Sequence, residues 1–208
     1  MNDKDTFIKE FNVSRETIEK FEIYEAQLKK WAPKINLISL STIDDIWSRH
    51  FNNSAQILKK FKTLPKTIID FGTGAGFPGL VLAIFIAQEN KDYKVTLVDE
   101  NHKRISFLRE TARAMGLRIE ILHSKVEALV PQKYEILTAR AFAPLDKLLD
   151  LSHTYAQEGA RLLFPKGKDV RNEIEIAQIK WNFKFEIEIF DKNTGSCILE
   201  ISELERAK

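Results

Sequence analysis

The residues from Asp70 to Gly79 read Asp70-Phe71-Gly72-Thr73-Gly74-Ala75-Gly76-Phe77-Pro78-Gly79, with glycine at 72, 74, 76 and 79. Glycine has no Cβ, so it accepts positive φ and lets the backbone approach a ligand closely. The apolar pair Ile68-Ile69 precedes this loop, and Leu80-Val81-Leu82-Ala83-Ile84 follows it. A strand therefore feeds a turn that opens a helix, which is the context that gives glycine loops meaning. Pro78 suits a first helical position, where no N–H is needed. Two ligands compete for the loop. Gly74, Gly76 and Gly79 fit the dinucleotide fingerprint, with a pyrophosphate at the helix N-terminus. Asp99 lies 20 residues beyond Gly79, a fitting place for an acid that holds a ribose.

The longer string Asp70-x-Gly72-x-Gly74-x-Gly76 looks instead like the first motif of S-adenosylmethionine enzymes. The loop then passes the methionine part, and Asp99 at the end of the second strand holds the ribose hydroxyls. Three features favour this reading over a small NAD-linked oxidoreductase. Asp70 puts a carboxylate beside the loop, which repels a pyrophosphate and suits a cationic ligand. The chain after the fifth strand is too short for a separate substrate domain. A terminal hairpin also fits. Methyl transfer from a sulfonium is an in-line displacement, in which the protein positions the acceptor and manages charge. The sequence lacks the usual help for harder acceptors. Its one cysteine, Cys197, is placed in the last hairpin, away from the ligand ends of the parallel strands. The place after the fourth strand reads Thr138-Ala139-Arg140-Ala141-Phe142-Ala143-Pro144, without the Asp/Asn-Pro-Pro-aromatic signature of exocyclic amine acceptors. A guanine N7 has an in-plane lone pair and no proton to lose, so it needs no base. His50, His102, His123 and His153 are scattered, without metal spacing.

These residues need a scaffold. Ile18, Phe21, Tyr24, Leu28 and Trp31 form one helical stripe, with Ser14 as N-cap and Pro33 as terminator. A second helix is expected after Ser41 or Thr42. From Pro65 onward short β-rich runs alternate with helical ones. The strands are predicted at Thr67–Phe71, Lys94–Val98, Arg118–Leu122, Tyr134–Thr138 and Arg161–Phe164. Helices are predicted at Gly79–Gln88, Asn101–Met115 and Leu145–Ala156. Such alternation makes a parallel sheet with helices on both faces. Phe183–Phe190 and Ser196–Ser202 read as a terminal hairpin. The fold class is α/β, a class I methyltransferase Rossmann-like sheet of seven strands, mostly parallel with the last antiparallel. An N-terminal helical extension (residues 1–64) joins the sheet domain (65–208) in one compact unit.

Hydrophobic residues are 44% and charged residues 30%, a globular balance. No apolar run approaches the roughly 18–20 residues that span a bilayer. The start, Met1-Asn2-Asp3-Lys4-Asp5, is not a signal peptide, so a cytoplasmic monomer is expected. The net charge of +2 says little, but Gln27–Pro65, Asn101–Arg118 and Arg161–Arg171 are each strongly basic. Together they could present one patch to a polyanion, or be ordinary solvated helix faces. Lys34, Arg49, Lys103 and Arg104 are the candidate phosphate contacts, and Trp31 and Trp47 are assigned to the core.

Seven short motifs in order give the chain a resemblance. They are Lys34-Ile35-Asn36-Leu37, Trp47-Ser48-Arg49-His50, the loop through Gly76-Phe77-Pro78-Gly79, Lys103-Arg104-Ile105-Ser106-Phe107-Leu108, Val126-Glu127, Thr138–Ala143 and Lys166-Gly167. The chain resembles the bacterial 16S rRNA guanine-N7 methyltransferases called RsmG or GidB over nearly its whole length. Two departures stand out. Asn53-Ser54 replaces an Asp-Ser pair, and Phe164-Pro165 replaces an Ala-Leu pair. The resemblance implies that Gly72, Phe77, Val126, Glu127 and Arg140 bind S-adenosylmethionine, beside Gly74, Gly76 and Asp99 from the loop reading. It adds Lys166 to the RNA candidates and makes 16S ribosomal RNA the partner, in the small subunit or an assembly intermediate. The non-enzyme alternative is an RNA-binding or assembly protein that keeps the cofactor fold.

Overall fold

The computed structural model describes residues 2–207. Met1, part of the N-terminal reading above, and Lys208 lie outside the described residues. The strands are β1 (Thr67–Phe71), β2 (Lys94–Asp99), β3 (Glu120–His123), β4 (Ile136–Ala139), β5 (Arg161–Lys166), β6 (Trp181–Asp191) and β7 (Ser196–Arg206). They form one seven-stranded sheet in the order β3-β2-β1-β4-β5-β7-β6. β1 to β5 run parallel, and β7 lies antiparallel between β5 and β6. The chain order reverses at β1, which sits between β2 and β4. In open α/β sheets that switch point is where ligands bind, beyond the carboxyl ends of the strands.

Two cores cover the two faces. Successive strand residues point to opposite faces, and the packing follows this. Ile68 joins the core made with Leu80, Phe107 and Phe21. Ile69 and Phe71 join the one made with Leu148, Tyr155 and Ile174. Helices α1 (Asp3–Phe11), α2 (Arg15–Trp31), α4 (Gly79–Glu89) and α5 (His102–Ala114) therefore pack on one side, and α6 (Leu145–Gln157) and α7 (Val170–Ala177) on the other. β1 can read as an apolar run because both its faces are buried. Trp47 is indeed core, packed at 5.5 Å and 5.1 Å from the rings of Phe7 and Phe51.

Ser14 caps α2 as expected, its side chain accepting from the Thr17 N–H, and the helix ends at Trp31 before Pro33. Other expectations need correction. The helix after Thr42 is π-helical over Ile46–Asn52. It passes through one turn, α3 (Asn53–Ala55), into a 3-10 turn at Gln56–Lys60. Pro78 precedes the first residue of α4 instead of occupying it. β3 and β4 begin two residues later than predicted, and the hairpin strands run longer. α1 and α7 have no predicted counterpart. Among the described residues no helix is long and apolar enough to cross a membrane.

Candidate active site

The glycine loop closes on itself before it reaches any ligand. Gly72, Gly74 and Gly76 all have positive φ. The Thr73 N–H donates to the Val98 carbonyl, those of Gly76 and Phe77 to the Thr73 carbonyl, and that of Leu80 to the Gly76 carbonyl. Asp70 is fully buried. Its Oδ2 accepts from the Thr73 hydroxyl at 2.5 Å and from the Gly79 N–H at 2.9 Å. Its Oδ1 is buried without a partner, and burial pushes its pKa up to about 7. The expectation that Asp70 repels a pyrophosphate by its charge is therefore corrected. It works by taking the Gly79 N–H, one of the helix-start donors that a pyrophosphate would need.

Two clefts flank Gly72. The first, of 350 Å³, is lined by Gly72, Asp99, Val126, Glu127, Phe142 and Lys147, among others. Asp99 ends β2 and is only 4% exposed. Its Oδ2 accepts the Gly74 N–H at 2.9 Å and its Oδ1 the Asn101 N–H at 2.8 Å. Each oxygen thus keeps acceptor capacity for one further donor. Val126 and Glu127 lie in a 3-10 turn after β3. Glu127 pairs with Lys147 at 3.4 Å, and donors including its own N–H hold its pKa low. The second cleft, of 220 Å³, is lined by Gly72, Gly74, Phe77, His50, Arg104 and Arg140 with neighbours. Gly76 lines neither. A Cβ there would stand 2.6 Å from the Tyr24 hydroxyl, whose O–H donates to the Ala75 carbonyl. Its role is to let α2 close over the loop, which corrects its place among the ligand residues.

Arg140, one residue past β4, donates to Ser54 Oγ at 3.3 Å and to the Arg49 carbonyl at 3.3 Å, and its Nη2 lies 3.4 Å from His50 Nδ1. Its guanidinium stands 5.7 Å from the Phe77 ring. Desolvation pushes its pKa down, and among the described residues no carboxylate pairs with it. The alternative of a surface arginine paired with Asp70 or Glu135 fails, since Asp70 bonds to the loop and Glu135 to the Lys66 N–H. His50, one of four histidines scattered along the sequence, lies in this cleft. It stacks on Phe77 at 5.0 Å and contacts Thr42 Oγ1 at 3.0 Å. Burial, then the Arg140 and Arg49 charges, push its pKa down to about 4, so it is a neutral acceptor for Arg140. Only its position four residues before Ser54 in a helical segment hinted at this.

The RNA candidates divide. Lys34, Arg49 and Lys103 are exposed, Arg49 with Asp45 at 3.9 Å. Two are corrected. Arg104 turns inward, 3.6 Å from Asp99 and bonded to the Asn36 carbonyl. Lys166 is only 10% exposed and bonds Glu173 at 2.6 Å. Cys197 is corrected too. β7 runs antiparallel to β5, so Cys197 sits opposite Lys166 at the ligand end of the sheet. It is fully buried and burial pushes its pKa up, the opposite of an activated thiol.

Comparison with known proteins gives one answer at the level of sequence. Residues 17–197 match the model of the GidB family, rRNA small subunit methyltransferase G. The ribosomal RNA small subunit methyltransferase G of Rhodospirillum rubrum is 40% identical over 203 residues, 98% of each chain. That of Ruegeria sp. TM1040 is 35% identical over 199 residues, 95% of this chain and 96% of its own. At the level of fold, magnesium protoporphyrin IX methyltransferase from Synechocystis, solved with bound SAM, aligns with a TM-score of 0.55 at 16% identity, over 97% of each chain. A ribosomal protein L11 methylase from Lactobacillus delbrueckii aligns at 0.56 and 20% identity over 74% of this chain and 78% of its own. These two likenesses speak for the class I methyltransferase fold alone. The chain belongs to the GidB family and is, by that membership, an S-adenosylmethionine-dependent small-subunit ribosomal RNA methyltransferase.

Proposed function

We propose that this methyltransferase acts on N7 of a guanosine in 16S ribosomal RNA, with its cofactor lying across Gly72 from the first cleft into the second. The observation that carries the cofactor reading is the closed loop. The N–H groups of Thr73, Gly74, Gly76, Phe77 and Gly79 are spent inside the protein. What remains on the cleft side is Asp99, suited to two hydroxyl donors, and Arg140, a half-buried cation with no carboxylate bonded to it among the described residues, suited to an anion such as an amino-acid carboxylate. Bound S-adenosylmethionine supplies an electrophilic methyl group on a sulfonium. Val126 and Glu127 would flank the adenine, and Gly74 would leave room for the chain between, while Gly72 makes way for the Phe142 ring, which a Cβ there would overlap. A Cβ at Gly74 would meet nothing closer than 3.9 Å.

The N7 acceptor is supported by what the cleft does with its one imidazole. His50 is held neutral by burial, and its ring nitrogens face Arg140 and Thr42. It positions the arginine, and with its pKa at about 4 it is a poor base, which suits an N7 acceptor that has no proton to lose. The exposed Lys34, Arg49 and Lys103 would meet phosphates. A monomer working in the cytoplasm on a small subunit or its assembly intermediate completes the reading. Calorimetry tests the cofactor step: S-adenosylmethionine should bind and NAD should not. Measurable NAD binding with none for S-adenosylmethionine would reject it.

A further inference from the structure

A third cavity, of 300 Å³, lies beyond Arg140 and Ala141. Those two residues also line the second cleft, so the three cavities form a row joined at Gly72 and then at Arg140. Distant parts of the chain build the third one: Asn53 from α3, Pro165 and Lys166 from the end of β5, Glu173 from the first turn of α7, and Phe190 and Ser196 from β6 and β7. None of the roles argued above uses it.

Its chemistry is not that of a phosphate site. The only cation besides Arg140, Lys166, is already bonded to Glu173 at 2.6 Å, and both side chains are mostly covered, at 10% and 28% exposure. That bond uses Oε2, and Oε1 has no hydrogen-bond partner among the described residues. A carboxylate repels phosphate and seeks donors. Among the RNA bases, guanine alone sets two donors side by side on its Watson–Crick edge, N1–H and the N2 amine. Adenine presents an acceptor at N1 there, and the pyrimidines have no N7. Enzymes that modify a base take it out of the stack and read this edge by hydrogen bonds, with apolar side chains against its faces. Phe190 and Pro165 supply such surfaces, and Lys166 and Asn53 supply donors for O6. A purine held by its N1 and C2 edge turns the opposite edge, with N7, toward the wall shared with the second cleft.

We propose that this third cavity receives the guanine to be methylated, and that Glu173 determines specificity by accepting its N1–H and N2–H donors. The inference rests on the N7 reading above. The probe is small-subunit ribosomal RNA with inosine at the methylated position, which lacks only the N2 amine. A site built to bond a substrate N–H rejects an analogue without it, because its buried acceptor is left unpaired, so wild-type kcat/KM should fall about tenfold or more. Equal rates on guanosine and inosine would overturn the proposal with no variant needed. Glu173→Gln should raise KM on guanosine RNA about tenfold, weaken RNA in filter binding, and bring guanosine and inosine within about twofold of each other. Its affinity for S-adenosylmethionine by calorimetry should not change. If Glu173 merely neutralises Lys166 beside the RNA backbone, removing its charge tightens RNA binding instead, and the guanosine-to-inosine ratio stays as in the wild type. Either result overturns the proposal. A wild type that methylates neither RNA while binding the cofactor would fail the N7 reading itself, and the cavity assignment with it.

Discussion

Arg140 brings a positive charge to a half-buried place where its partners are a hydroxyl, a carbonyl and a neutral imidazole. Among the described residues no carboxylate is bonded to it, although Glu173 lines the same adjacent cavity with Asn53. An anion arriving with the cofactor would satisfy the charge. Arg140→Ala should therefore weaken S-adenosylmethionine binding by about 1.5–3 kcal/mol, the range of hydrogen bonds to charged groups, and leave RNA affinity nearly unchanged. The reverse pattern in calorimetry and filter binding would move Arg140 to the RNA side. Asp99→Ala should cost the cofactor a similar amount, about 1.5–3 kcal/mol. Part of that loss would come through Gly74, whose N–H Asp99 holds, and unchanged affinity would remove the ribose role. The individual residues were partly readable in advance. Gly72, Asp99, Val126 and Glu127 line one cleft as the motifs implied. The inward turn of Arg104 was not readable, because its partners lie on β2 and in the segment after α2. Charge alone does not tell an exposed cation from one paired across 68 residues. RNA contact is therefore best tested at Lys34 and Lys103. Reversing both should weaken RNA binding and flatten its salt dependence with the cofactor affinity intact; an equal loss of both affinities would instead mean a damaged fold.

At the scale of elements, the β1–loop–α4 unit depends on one carboxyl group. Asp70 bonds the loop at Thr73 and the helix start at Gly79, and desolvation holds its pKa up at about 7. In the unfolded chain an aspartate titrates near about 3.9. Between that value and about 7 the folded protein keeps a proton that the unfolded chain has lost. The stability this group contributes is complete below about pH 4, is lost as the pH rises through about 7, and is level above that. Asp70→Asn mimics the protonated form and cannot titrate. Denaturant unfolding should show wild type losing stability relative to this variant between pH 5 and 8, whereas parallel curves would reject the buried-proton account. The sequence made β1, the loop and α4 legible, because an apolar run, spaced glycines and a second apolar run each have one meaning. It also carried a signal for α7 that went unread: Val170, Ile174 and Ala177 recur at four- and three-residue steps and are all buried. The π-helical turn at Ile46–Asn52 has no comparable periodic signature.

For the whole molecule, the alternation of strands and helices sufficed to foresee the sheet, since parallel neighbours and a terminal hairpin leave few arrangements. It did not foresee how closely the N-terminal helices belong to the site. Phe7, Phe21, Tyr24 and Phe51 share one core with Leu80 and Phe107, and Tyr24 reaches the glycine loop. Removing residues 2–64 would expose the apolar face of α4 and leave the loop unbraced. The remaining chain should be insoluble or lack cooperative unfolding, and a stable, cofactor-binding fragment would show the helices to be a separable extension. The basic segments also behave differently as a whole than one by one. Lys29, Lys30 and Lys59 are paired with carboxylates and are ordinary surface, and Lys60 is mostly covered against Glu200. Lys34, Arg49 and Lys103 remain exposed, on the segments that line the second cleft with Leu37, His50 and Arg104. The central claim is that methyl transfer goes to a guanine N7 in small-subunit RNA. It is tested most directly by incubating the protein with unmodified small-subunit RNA, both free and assembled into subunits, and S-adenosylmethionine labelled in the methyl group, digesting the RNA to nucleosides and locating the label. The account predicts label in 7-methylguanosine, from a single position. Label in any other nucleoside, or none in RNA from a protein that binds the cofactor, would contradict it.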